Sequence, residues 1–133
     1  MATVAEMDAL ARALMRDPQI PSLPIEYRKL QTSLGQCRFD ERGDPLRIEI
    51  STVWLPHLDS EQARDLLLHE FSHAIAGADA RHGPRWKAVA RRLGAKPSRT
   101  AHLPPALVQK VRRSTALYRV HCSNDACSSE YFR

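Results

Sequence analysis

The stretch 60-SEQARDLLLHEFSHAIAG-77 constrains this chain more than any other. Ala63, Leu66, Leu67, Phe71, Ala74 and Ile75 recur at helical spacing and form a broad apolar stripe that has to be buried. Asp59 and Gln62 can cap the start of this helix and Gly77 can stop it. Yet His69, Glu70 and His73 stand in the middle of the pattern, where two imidazoles and a carboxylate are costly to bury without partners. The helix therefore belongs in the core, and its polar residues need something to bind.

The spacing says what that something is. His69 and His73 are four apart, so a helix projects both from one face and can offer two ring nitrogens to a single metal ion. Glu70 lies about 100 degrees around the helix from His69, where its carboxylate can reach a water on the metal without being a ligand. A catalytic zinc takes three protein ligands and keeps a fourth position for water, whose pKa it lowers to about 7. On this HExxH pattern Glu70 is the candidate general base.

A third donor has to come from close by, and Asp79 and His82 are the near candidates downstream. His82 is the better one, because neutral imidazole is the usual zinc ligand and the loop 78-ADARH-82 can fold it back over the helix. Asp79 is either an outer partner that orients an imidazole or a solvated loop residue. The third histidine of a metzincin would stand at position 79, which is Asp, so that pattern is not met.

The rest of the chain supplies a small α+β frame. Thr3 and Glu6 have the form of a capping box, and Val4, Met7, Leu10, Ala11 and Leu14 follow at helical spacing until Asp17-Pro18. Residues 18–35 contain three prolines and read as an extended connection with a short strand near 25–30. The runs 34-LGQCRFD-40 and 46-LRIEISTVWL-55, separated by 41-ERGDP-45, predict a hairpin with Leu46, Ile48 and Ile50 on one face and a wet opposite face. Cys37 in the first run reads as a small buried hydrophobe. Pro84 suits the first turn of a third helix through Trp86, Val89, Ala90 and Leu93, with Gly94 as its stop. Residues 95–105 read as a linker, 106–115 as a short basic helix and 116–122 as strand-like.

A chain of 133 residues with 43% hydrophobic and 26% charged residues is one globular domain in size and composition. No apolar run approaches the ~20 residues that cross a bilayer. Glu6 and Asp8 fall where a secretory leader would be basic and then apolar, so a cytoplasmic location is expected. Three cysteines do not make a disulfide framework. Charge is divided unevenly: residues 1–80 carry 8 Lys+Arg against 13 Asp+Glu, residues 81–133 carry 12 against 2, and the resulting −5 and +10 give the net +5. The basic part is a candidate surface for DNA or another acidic partner.

Taken together, HEFSHAIAG, the following RHGPRWKAVARRLG, the preceding LGQCRF and the strand RIEIS resemble the SprT-like metalloprotease family over residues 34–94. The resemblance implies a zincin-like α+β domain, a small antiparallel sheet packed with about three helices, with HExxH on the central active-site helix. It also implies zinc on His69, His73 and His82, Glu70 as the catalytic residue, and proteins bound or cross-linked to DNA as substrates. Two other readings stand beside it: a zinc protease independent of DNA, and a non-enzymatic nucleic-acid-binding domain with structural zinc. Trp86 matches the family tryptophan and reads as a core anchor or a cleft residue.

SprT-like proteins often continue into a small zinc module with two cysteine pairs. The expected division is therefore residues 1–115 as the protease domain and 116–133 as a partial zinc-ribbon-like segment, with Cys122 and Cys127 as half of a second zinc site. Arg81, Arg85, His102, Tyr118 and His121 are all candidates for stabilising an oxyanion, and none is singled out.

Overall fold

The computed structural model describes residues 2–95, in the order α1 (Val4–Leu14), β1 (Ile25–Arg28), β2 (Gly35–Phe39), β3 (Pro45–Ser51), α2 (Ser60–Ala76) and α3 (Pro84–Leu93). Short 3-10 turns at Leu55–His57 and Ala78–Ala80 lead into and out of α2. The class is α+β, as expected. The boundary at 115/116, the helix expected over 106–115, the strand-like 116–122, and His102, Tyr118, His121, Cys122 and Cys127 all lie outside the described residues.

The helices begin and end where their caps require. Thr3 accepts the amide of Glu6 at 3.1 Å and donates its hydroxyl to the Glu6 carboxylate at 3.3 Å. That closes the first turn of α1 in a variant of the expected capping box. Asp59 and Gln62 form the full reciprocal box at the start of α2, at 2.8 and 2.9 Å. Pro84 opens α3, and Gly94 closes it in the left-handed conformation (φ 86, ψ 16) that glycine adopts without strain.

The sheet corrects one expectation. Its order is β1-β3-β2, with β2 antiparallel to β3 and β1 parallel to it, so it is mixed rather than antiparallel. The β2–β3 hairpin turns at Asp40, whose carboxylate accepts the amides of Arg42 and Asp44, both at 2.9 Å. The chain leaving β1 cannot pair with β2 because β3 takes the central place. It passes instead over the end of β3, where Ser51 donates its amide to Leu34 O and its hydroxyl to Leu30 O, and Trp54 donates Nε1 to Gln31 O. Crossing at that end sends β2 antiparallel to β3 and leaves β1 parallel to it.

One face of the sheet carries Ile48, Ile50 and Cys37 into a core shared with Met7 and Ala11 of α1, Leu67 and Phe71 of α2, and Trp86 and Ala90 of α3. Gly35 allows this closeness, since a Cβ there would come within 2.9 Å of Glu49 O and 3.3 Å of Ile50 Cδ1. Tyr27 ties β1 to α1 by donating to Asp8 Oδ1 at 2.5 Å. The opposite face is drier than expected at its centre. There Glu49 is 2% exposed and accepts from Gln36 Nε2, from Arg47 Nε at 2.8 Å and from Arg28 Nε at 3.1 Å.

Candidate metal centre

Helix α2 is the middle of the domain, packed against α1, β2, β3 and α3. Leu66, Leu67 and Phe71 pin it into the core, and the same burial takes in His69, Glu70 and His73. At Gly77 (φ 101) the helix stops, and the 3-10 turn Ala78–Ala80 reverses the chain so that His82 returns to the two α2 histidines. The Nε2 atoms of His73 and His82 are 3.0 Å apart, those of His82 and His69 3.2 Å, and those of His73 and His69 3.3 Å. All three side chains are buried, and among the described residues they form one group able to share a metal ion.

Trp86 backs the three imidazoles. Its ring centroid lies 4.9 Å from that of His69, 5.4 Å from His73 and 4.6 Å from His82, and its Nε1 donates to His69 O at 3.4 Å. It is fully buried. The core-anchor reading of Trp86 holds, and the anchoring acts directly on the histidines. Asp79 pairs instead with Arg85, Oδ1 to Nη2 at 3.0 Å, an ion pair on the surface that clasps the loop from outside. Of the two downstream candidates it is His82 that the fold brings to the α2 histidines.

The electrostatics favour a cation at this point. Burial drives His69 well below the usual histidine range and His73 down to about 3, with the neighbouring imidazoles adding to it, so both rings are neutral near pH 7. Glu70 has no exposed surface, its carboxylate oxygens have no hydrogen-bond partner among the described residues, and burial pushes its pKa up to about 8. Three convergent imidazole nitrogens and a buried carboxyl without a partner lack positive charge. A divalent ion would supply it, so the donor set fits a metal.

Cys37, read from the sequence as a plain hydrophobe, turns out to face this region. Its thiol pKa is raised first by burial and then by the Glu70 carboxylate. The only signal in the sequence was its place in a core-facing row of β2, opposite Ile48, and that register exists only once the strands pair. Among the other oxyanion candidates, Arg85 is committed to Asp79 and Arg81 lies exposed beside His82.

Fold and site together define a small α+β domain whose central helix and following loop assemble a three-histidine, metal-competent centre. The chain belongs to the SprT-like family, a family of metalloprotease-type domains, whose model matches residues 5–108. Comparison with curated proteins and with solved structures yields no match. No helix among the described residues is long and apolar enough to cross a membrane.

Proposed function

We propose that this chain is a zinc-dependent endopeptidase of the zincin type, with HExxH on its central helix and Glu70 as the general base. The observation that carries this reading is the juxtaposition of three Nε2 atoms within 3.0–3.3 Å of one another with the unpartnered, fully buried carboxyl of Glu70 on the same helix. Donors at about 2.0–2.1 Å from a tetrahedral zinc stand about 3.3–3.4 Å apart, close to that spacing. His69, His73 and His82 would hold the ion. When bound, zinc supplies Lewis-acid polarisation of a peptide carbonyl and activation of water at neutral pH.

The remaining work falls to the chain's own groups. Glu70 is the proton carrier: its carboxylate accepts a proton as water attacks the carbonyl and returns it to the leaving amine. A value near 8 in the bare pocket keeps its affinity for that proton high, and a nearby cation favours the ionised form needed to accept it. Trp86 and the α2 backbone hold the imidazoles in place, so little rearrangement accompanies the reaction. Structural zinc is disfavoured because such sites are closed by four protein ligands, and no fourth donor joins the three histidines among the described residues.

The substrates we propose are proteins bound or cross-linked to DNA. Supporting this are the +10 charge of residues 81–133 and the exposure of Arg85, Lys87, Arg91 and Arg92 on α3, which begins two residues after His82. A polyanion held on that face would bring its attached protein to the metal centre. The test is cleavage of a DNA-binding protein by the full chain, with and without single-stranded DNA and across a salt series. Cleavage that requires DNA and weakens steeply with salt is expected. Equal cleavage without DNA would leave the protease reading standing and remove the DNA part.

A further inference from the structure

His82 reaches the other histidines from a turn whose backbone strain falls on a single residue. Arg81 has φ 58 and ψ −139, the one positive φ outside glycine among the described residues. The amide of Gly83 donates to Ala80 O at 3.0 Å, so residues 80–83 form a hydrogen-bonded turn with Arg81 as its first central residue. Those angles lie near the first central position of a type II′ turn, where glycine is preferred because a Cβ crowds the backbone.

Nothing that the Arg81 side chain does within the described fold offsets this cost. It is exposed, and the ion pair of this loop is made by its neighbours Asp79 and Arg85. Strained residues persist where their surroundings over-determine them, and they gather at ligand sites. One residue further on is His82, 6% exposed, with its Nε2 3.0 Å from that of His73. Relaxing Arg81 to negative φ would swing the following residue away from α2.

We propose that Arg81 is a positioning residue: its strained turn delivers His82 to the two α2 histidines, and a divalent cation held by all three imidazoles offsets the strain. The inference rests on the three histidines being metal ligands. In the metal-free chain the strained turn competes with a relaxed one that withdraws His82. The competent fraction then scales the measured affinity, so removing the Cβ at position 81 raises that fraction.

The test is titration of Zn(II) into the full chain against a chromophoric chelator. Arg81→Gly is expected to bind about threefold to tenfold more tightly, the strain relief reduced by the chain entropy that glycine adds. Arg81→Ala keeps the Cβ and should match the native chain within about twofold, whereas β-branched Arg81→Val should bind about threefold to tenfold more weakly. A loss of packing alone would not tighten binding, so the gain in Arg81→Gly is the telling reading. Affinity in Arg81→Gly no higher than in Arg81→Ala overturns the proposal, even if Arg81→Val fails to fold. His82→Ala distinguishes a failure of the ligand assignment from a failure of the strained turn. Native affinity in His82→Ala would overturn the ligand reading and this inference with it. A large loss there, with no gain in Arg81→Gly, overturns this inference alone.

Discussion

Among the described residues two glutamates are buried, Glu49 and Glu70, and their surroundings are opposite. Glu49, on the central strand, is 2% exposed, yet Gln36, Arg47 and Arg28 all donate to it. Burial would raise its pKa, but the hydrogen bonds from Arg47 and Gln36 and the charges of Arg28 and Arg47 outweigh burial and hold it below the usual range. Glu70, on the central helix, has no partner among the described residues and is pushed up to about 8 by burial alone. The fold satisfies one carboxylate and leaves the other in want of a cation. A satisfied buried charge serves the structure, while an unsatisfied one marks a site whose ligand comes from outside.

The strongest way to break this comparison is to neutralise each carboxylate in turn. Glu70→Gln is expected to reduce peptide hydrolysis by about 10²–10⁴-fold, the usual contribution of a positioned general base, while zinc content and fold persist. Steady-state cleavage with metal analysis checks it, and retained hydrolysis would mean that another group carries the proton. Glu49→Gln should behave in the reverse sense. It should cost about 1–2 kcal/mol of stability, a figure discounted because Arg28 is half exposed, and leave turnover per folded molecule unchanged. Denaturant unfolding and active-site-normalised rates read the two effects separately.

In the metal-free protein the buried groups make stability depend on pH in opposite senses. An unfolded Glu releases its proton near 4.5 and folded Glu70 only near 8, so the folded chain binds more protons between those values and Glu70 costs stability as pH rises through them. His69 and His73 have depressed values when folded, so their contribution is present above 6.5 and is lost as pH falls below it. Below 6.5 the two histidines outweigh the single glutamate. Metal-free stability should therefore peak near pH 6.5, and Glu70→Gln should flatten the alkaline side while making the rise between 4.5 and 6.5 steeper. Melting temperatures across pH with chelator present test this; an unchanged alkaline slope would show that Glu70 is not held protonated. The smallest expected effect on stability is that of Arg85→Ala, which breaks the exposed pair with Asp79 and should cost under about 1 kcal/mol.

Much of this centre was legible because its chemistry is written in local spacing. The i, i+4 histidines, the intervening Glu70, the Asp59–Gln62 cap and the Gly83-Pro84 restart all concern neighbours in sequence, and the helices form where those signals lie. His82 could be proposed because a short loop has few places to go. What could not be read depends on pairing between distant segments. The parallel β1–β3 pair follows from a crossover that leaves no periodic trace, and the dry centre of the outer sheet face arises because Arg28 and Arg47, from two strands, converge on Glu49. The approach of Cys37 to Glu70 and the strain at Arg81 likewise appear only once α2 packs on β2 and the loop closes.

The central claim is that three imidazoles hold one ion and leave a position open beside Glu70. Anomalous scattering from crystals of the full chain, recorded on both sides of the zinc edge, tests it most directly. A zinc peak bonded to Nε2 of His69, His73 and His82 is expected, with a water or substrate oxygen as the fourth ligand. A peak completed by a fourth protein side chain, or a zinc-loaded crystal with no peak between these histidines, would contradict it.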